Sequence, residues 1–341
     1  ATSNNATSNN APTPSTNATS NNMTSANNMT SPANNSNNNV VLPMGPVDPN
    51  CVDGQYSESL PTMGDFSAAE ASYSPANVEE FVLAALEARY GVGRDIVAGS
   101  LESGVFECID FSISDSSSAA GVISSMSTIV HECGHSYDLG QGGFGDSHFF
   151  LTDQTSFTCS QGDTTERGGM TFARSRMNGD MFGPSRPKCN NSNMPGCDFY
   201  ADVYLDGDPD DGNFDGGDQG FNSVIEEATQ YVNSLATGYA FRDRYSRAVS
   251  ERDGLLTFLW YIGRYLHMAR TQYPDAHAFI LGDACYREAI LSVWGRAWIY
   301  LDATENERNL GIDDAELMQL VLDDAILAEI QRVRDAHGCG M

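Results

Sequence analysis

The C-terminal half of the chain has apolar residues at helical spacing almost throughout. Each of four stretches carries an apolar stripe that recurs every three or four residues, and we predict a helix in each: 221–241, 252–272, 276–301 and 313–336. The aromatic run Phe258-Leu259-Trp260-Tyr261 lies in the second stretch and is typical of a helix core. This half is therefore predicted to be helical.

Three further elements are predicted between residues 74 and 139. Ser74-Pro75 has the residue types of a helix N-cap and first helical residue, which predicts a helix as far as Tyr90. Residues 95–114 consist of two arms around a turn, the second with alternating apolar positions, and predict a β-hairpin. A second helix is predicted over 117–139, and a Gly-rich, loop-heavy segment follows over 140–220. The fold class predicted is α+β, small in strand and heavy in helix.

The first 44 residues differ in composition from the rest. Residues 1–39 are almost wholly Asn, Ser, Thr and Ala, with the unit ATSNN at 1–5, 6–10 and 18–22. Such a segment has too little apolar surface to fold, so we predict a disordered arm. Five sequons predict N-glycosylation of this arm, at Asn5, Asn17, Asn22, Asn28 and Asn34. The globular part then covers 45–341, with subdivisions at 45–139, 140–220 and 221–341.

Charge and cysteine content narrow the class of protein. The chain has 18 basic and 46 acidic residues, a net charge of −28, which disfavours nucleic acid and anionic membranes and favours cations. No apolar run approaches the ~20 residues of a membrane span. Eight widely spaced cysteines predict structural disulfides and a secreted protein: Cys51, Cys108, Cys133, Cys159, Cys189, Cys197, Cys285 and Cys339. Among them we predict the pair Cys189–Cys197, across a short Pro/Gly/Asn loop.

The helix predicted over 117–139 carries the sequence His131-Glu132-Cys133-Gly134-His135. Residues i and i+4 lie on one face of a helix, so the two imidazoles can bind one zinc ion. Glu132 lies beside them and can accept a proton from a water activated by the zinc. Cys133 points away from the histidines, so we interpret it as structural.

The segment STIVHECGHSYD resembles the HExxH motif of the zincin metallopeptidases, in which the motif helix packs beneath a small sheet. In the gluzincin branch a Glu on a later helix is the third ligand, and the matching segment here is Glu226-Glu227-Ala228-Thr229-Gln230-Tyr231. Alignment of the polar and aromatic residues favours Glu226, with Gln230 as its partner, whereas helix phase favours Glu227. We prefer Glu226 and leave both open. The resemblance also implies a residue that stabilises the oxyanion, for which Tyr231 is a candidate.

An acidic segment immediately before this later helix predicts a calcium site. Seven residues offer side-chain oxygens within a short stretch: Asp206, Asp208, Asp210, Asp211, Asn213, Asp215 and Asp218. Its centre matches the opening of a calcium-binding loop, although Asn222 occupies the twelfth position in place of the usual Glu. Bound Ca²⁺ would relieve the repulsion between these carboxylates and fix the start of the helix.

Two functions are compatible with these patterns. The first is a secreted zinc metallopeptidase that hydrolyses peptide or protein substrates, with Glu132 as general base and an edge strand near 105–114 that holds the substrate. The second is a catalytically silent structural subunit of a glycosylated fibre or surface layer, in which copies associate through the arm. The intact Glu132 favours the peptidase, and the low-complexity arm favours the structural subunit.

Overall fold

The structure is a computed structural model that describes residues 46–143, 145–160, 172–178, 182, 186–189, 196–207, 217 and 219–339. The N-terminal arm with its five sequons lies outside these residues, as do all the predicted calcium ligands except Asp206. The described chain is mostly helical with one small antiparallel sheet, which agrees with the predicted α+β class.

The described helices and strands follow one another in a simple order. The α-helices are α1 Val52–Gln55, α2 Ser67–Ser72, α3 Val78–Arg89, α4 Gly91–Ser103, α5 Cys108–Ser112, α6 Ala119–Ser124, α7 Met126–Gly142, α8 Ala201–Tyr204, α9 Phe221–Ala240, α10 Glu251–Gln272, α11 Pro274–Gly282, α12 Ala284–Ala303, α13 Asp314–Val321 and α14 Asp324–His337. Short 3₁₀ helices cover Pro75–Asn77 and Arg174–Met177, and the strands are β1 Asp146–Thr152 and β2 Thr155–Ser160.

The four predicted C-terminal helices are confirmed as α9 to α14. The third and fourth are each divided in two, because an aspartate begins a new helix inside the predicted span. Asp283 accepts hydrogen bonds from the backbone N–H groups at the start of α12, and Asp323 accepts one at the start of α14. The aromatic run within α10 is fully buried, as predicted for a helix core.

The helix predicted from Ser74 is also confirmed, as a 3₁₀ turn that continues into α3. Ser74 and Asn77 form a reciprocal cap at its start. The helix predicted over 117–139 is present as α6 and α7, with Ser125 between them. More than half of the residues of α7 are buried, including Ile129, Val130 and His131.

The predicted β-hairpin over 95–114 is wrong, because this segment forms α4 and α5. Buried positions Gly93, Ile96, Val97 and Ser100 recur at helical spacing. Its glycines allow close packing: a Cβ at Gly99 would lie 2.4 Å from the ring of Tyr137. Residues 105–114 therefore provide no edge strand. Only the turn was predicted correctly, since Gly104 ends α4 in a left-handed conformation with φ 62°.

The small sheet instead follows the metal-motif helix. Strands β1 and β2 pair antiparallel, with Ser147 opposite Cys159 and Phe149 opposite Phe157. Strand β1 packs against α7 and α9. The two helices α7 and α9 pack against each other, and α10 and α12 cover the other side of α9. This packing places the sheet and both ligand-bearing helices next to one another.

The described cysteines form four disulfides: Cys51–Cys339, Cys108–Cys133, Cys159–Cys285 and Cys189–Cys197. The pair Cys189–Cys197 was predicted. The structural interpretation of Cys133 is confirmed as well, because its disulfide to Cys108 joins α7 to α5. Within the described chain, we find no helix of the length and hydropathy that crossing a membrane requires.

Glu251, at the start of α10, is buried and accepts a hydrogen bond from the Ser127 hydroxyl at 2.6 Å. Burial raises the pKa of its carboxyl from 4.5 to about 7. The folded state therefore holds more protons than the unfolded state between these values. We expect the free energy of unfolding to fall as pH rises through this window, by about 3 kcal/mol in total from this group.

The variant E251Q tests this expectation, because an amide cannot ionise. Urea unfolding at about pH 5 and about pH 8 should show a smaller loss of stability in E251Q than in the native protein. The exposed Glu80 on α3 provides the control variant E80Q. A loss of stability in E251Q equal to that of the native protein would contradict the prediction.

Candidate metal centre

Two helices supply the candidate metal ligands. His131 and His135 are one helical turn apart on α7, and Glu226 and Glu227 lie in the second turn of α9. His131 and Glu227 are buried, and His135 is partly buried. Since α7 and α9 pack directly against each other, residues from distant parts of the sequence meet at one point.

Three ligand atoms converge there. The two Nε2 atoms of His131 and His135 are 3.0 Å apart. The Oε2 atom of Glu227 lies 3.6 Å from Nε2 of His131 and 3.5 Å from Nε2 of His135. Ligand atoms at ~2.0–2.1 Å from a tetrahedral zinc ion are about 3.3 Å from one another. His131, His135 and Glu227 could therefore hold a metal ion.

The chemistry of these atoms also fits a cation. Nδ1 of His135 lies 2.7 Å from both carboxylate oxygens of Glu226, so Nδ1 carries the ring proton and Nε2 presents a lone pair. Oε2 of Glu227 is buried and has no hydrogen-bond partner. Buried lone pairs that face one another repel unless a cation lies between them.

The pKa shifts point in the same direction. Burial disfavours a charged imidazole at His135, but the carboxylates of Glu226 and Glu227 outweigh it and hold its pKa well above the ordinary value. Burial likewise acts to raise the pKa of Glu227, yet the neighbouring His135 and His131 lower it on balance. The surroundings of these residues therefore favour positive charge.

This geometry distinguishes the two glutamates. Glu227 points an oxygen at both Nε2 atoms, whereas Glu226 contacts the opposite side of the His135 ring. The arrangement favours Glu227 as the third ligand, although the alignment placed Glu226 first. Glu226 then has the role of a carboxylate that orients a ligand histidine and increases its basicity.

Further side chains hold Glu226 in place. Nε2 of Gln230 donates to Oε1 of Glu226 at 3.1 Å and to Oδ2 of Asp138 at 2.9 Å. Burial, and then the charge of Glu226, raises the pKa of Asp138 well above its usual range. Gly134 makes room for this contact, because a Cβ there would lie 1.8 Å from the side-chain oxygen of Gln230. The contact of Gln230 on α9 therefore requires a glycine at position 134 of the motif.

Arg174 lies near the Glu227 oxygen that is not directed at the histidines. It is 3% exposed, and its Nη1 atom lies 3.9 Å from Oε1 of Glu227 and 2.9 Å from the Ser223 hydroxyl. Its guanidinium also lies 5.3 Å from the centre of the Tyr204 ring. Because the attraction of Arg174 acts on Oε1, it leaves Oε2 directed at the histidines.

Two tyrosines lie beside the ligands. The Tyr231 ring packs edge-on against His131, with ring centres 4.7 Å apart, and its hydroxyl lies 2.8 Å from the hydroxyl of Tyr204. Tyr204 lines the cleft above the ligands, as does the partly buried Glu132. Tyr231, the residue predicted from the sequence, thus lies behind Tyr204.

The cleft has a volume of about 520 Å³ and is bounded by α7, β1, α8 and the start of α9. Sequence reasoning missed Tyr204, Arg174 and the β1 residues Asp146 and His148. None of these is at a fixed spacing from the motif, so no local pattern indicates them. The single described calcium candidate, Asp206, pairs with Lys188 at 3.4 Å.

Compared with known proteins, the chain matches no protein-family model, no curated protein and no solved structure. The resemblance to zincins therefore remains at the level of the motif and of the residues that meet around it. What the site can do has to be argued from its own atoms.

Substitution of the two glutamates should separate their roles. We expect E227Q to abolish stoichiometric binding of Zn²⁺, because it removes a charged ligand. We expect E226Q to retain one ion per chain with an affinity about 10–100-fold lower, since only the support of His135 is lost. Competition with a chromophoric chelator measures both affinities. If instead E226Q lost the ion and E227Q retained it with reduced affinity, Glu226 would be the ligand.

Proposed function

We propose that this protein is a zinc-dependent peptidase. The observation that carries the proposal is that His131, His135 and Glu227 converge at the base of a cleft that Glu132 also lines. A purely structural zinc site is closed, usually with four protein ligands, whereas a catalytic site has three protein ligands and an open side. Three ligands beside an open cleft favour catalysis over the structural role. The four disulfides suit a secreted enzyme.

Zinc, when bound, would supply Lewis acidity to a substrate carbonyl and to water. Glu132 is the general base: its carboxylate accepts a proton from the attacking water as the new C–O bond forms. It then delivers this proton to the leaving nitrogen as the C–N bond breaks, so that one water is consumed and an acid and an amine are released. Glu132 directly follows His131 in the sequence, lines the cleft and needs no role as a ligand.

Tyr204 is the residue best placed to stabilise negative charge on the reacting carbonyl. Its hydroxyl is close to that of Tyr231, which can donate to it and leave the Tyr204 proton free to face the cleft. A donor directed at the position of a developing oxyanion is a large contribution to catalysis. Tyr231 would then support Tyr204 instead of acting on the substrate.

Strand β1 provides an edge for an extended substrate, in place of the predicted segment 105–114. The N–H of Phe150 donates to Asp138 of α7, so Phe150 turns its backbone groups away from β2. Backbone direction alternates along an antiparallel strand, so His148 and Asp146 also turn theirs away from β2. Both residues line the cleft, where a peptide can add as a further strand.

The first test is the variant E132Q, which leaves every proposed ligand in place. We expect one zinc per chain in both proteins and a rate of casein or quenched-peptide hydrolysis about 10²–10⁴-fold lower in E132Q. The variant E80Q, on the exposed face of α3, should match the native rate. Bound zinc without hydrolysis in the native protein would refute the peptidase and favour the silent structural subunit.

The roles of the two tyrosines are tested by removing one hydroxyl at a time. We expect Y204F to lower kcat about 10²-fold with little change in KM, because the lost interaction forms mainly in the transition state. We expect Y231F to lower kcat by less than about tenfold, since the Tyr204 hydroxyl remains. A larger effect in Y231F would make Tyr231 the catalytic tyrosine.

A further inference from the structure

The charged side chains that line the cleft are acidic. Among the described residues that form it there are five carboxylates and no lysine or arginine; the carboxylates are Glu132, Asp138, Asp146, Glu226 and Glu227. Burial lowers the pKa of His148, so this imidazole adds no positive charge at neutral pH. The cleft also contains the buried Oε2 atom of Glu227, which makes no hydrogen bond with the described residues.

A metal ion does not balance this charge. Five carboxylates carry five negative charges; a divalent ion neutralises two and the Arg174 guanidinium, 3.9 Å from Glu227, neutralises one, which leaves two, or one if the buried Asp138 is protonated. The chain as a whole has a net charge of −28. Clefts with low-dielectric walls concentrate such a field and raise the local concentration of cationic ligands. Anionic peptides are repelled by the same field.

Four of the five carboxylates have an assigned partner or role, and Asp146 has none. It is the first residue of β1, it is exposed, and its carboxylate makes no hydrogen bond or ion pair with the described residues. Its backbone groups lie on the same outward edge as those of His148. A peptide that pairs along this edge would therefore bring its own side chains close to Asp146.

We infer that the cleft selects extended peptides that carry an arginine or lysine near the scissile bond, and that Asp146 pairs with this basic side chain. The inference rests on the proposed peptidase function and names its substrate class. A guanidinium can bind a carboxylate through two hydrogen bonds, so arginine should be preferred to lysine. Asp146 is thus a specificity-determining residue that takes no part in bond cleavage.

The test uses quenched peptides that are identical except for one residue, which is Arg, Gln or Glu, placed in turn on each side of the scissile bond. For the best position we expect kcat/KM to be at least about tenfold higher for Arg than for Gln, and lowest for Glu. Raising NaCl from about 0.1 M to about 0.5 M should reduce this preference by screening.

The variant D146N should reduce the preference for Arg over Gln to less than about threefold, chiefly by slowing cleavage of the Arg peptide. Its matched control is D153N, the same change in the exposed turn of the same hairpin, about 20 Å away along the strand. D153N should keep the native preference. An equal loss in both variants would assign the effect to overall charge and overturn the role of Asp146.

A measurement of peptide binding distinguishes the inference about substrate charge from the proposed peptidase function. The affinities of zinc-loaded E132Q for the same peptides, measured by fluorescence anisotropy, should follow the order Arg, Gln, Glu whether or not the native protein cleaves them. Absence of cleavage with this order preserved would refute the peptidase alone. Equal affinities, or tighter binding of the Glu peptide, would overturn the inference about substrate charge even if the peptides are cleaved.

Discussion

Repulsion between buried lone pairs is the constraint on which the site depends. Two imidazole nitrogens and one carboxylate oxygen face each other at 3.0–3.6 Å at the base of the cleft. Without a metal ion the cluster needs a proton on His135 to balance the Glu227 carboxylate, and the neighbouring carboxylates hold the pKa of His135 well above its ordinary value. With a cation the same atoms attract it from three sides. Metal binding and the packing of these two helices are therefore coupled through one cluster of atoms.

A continuous hydrogen-bonded network fixes the orientation of that cluster. Beyond Gln230, Asn233 donates to Gln230 at 2.9 Å, and Arg296 of α12 donates to Asn233 at 2.7 Å. Arg296 also pairs with Glu58 at 2.7 Å, in the segment between α1 and α2. The orientation of His135 thus depends on residues from four parts of the chain. Buried networks of this kind are rigid when every member is satisfied, which is what a precise ligand geometry needs.

The parts of the site that could be predicted from sequence are those that helix geometry determines locally. His131 and His135 are four residues apart, and one turn of helix is enough to bring them together. The third ligand could not be chosen in this way. Glu226 and Glu227 are adjacent and both enter the site, from opposite sides of the His135 ring, so only the packing of α9 against α7 distinguishes them. Tyr204 and Arg174 come from short elements without periodicity, so their positions follow from tertiary contacts alone.

The error over residues 95–114 has a related cause. The segment was interpreted as two strands around a turn at Gly104, whereas Gly99 lies inside α4 and accepts the ring of Tyr137. A glycine that allows close packing and a glycine that ends an element are alike in a sequence. Of the glycines within residues 95–114, only Gly104 has the left-handed backbone that a terminating glycine requires.

The small sheet follows the motif helix because of how that helix ends. Gly143 has φ 67°, which favours glycine, and a Cβ at Gly142 would lie 3.1 Å from the backbone nitrogen of His148. The chain can therefore reverse tightly and lay β1 beside α7. This matters for function because helices pair their own backbone groups internally and offer none to a peptide along their length. At a cleft formed mainly by helices, the outward edge of β1 at Asp146 and His148 is therefore where we propose that an extended substrate pairs.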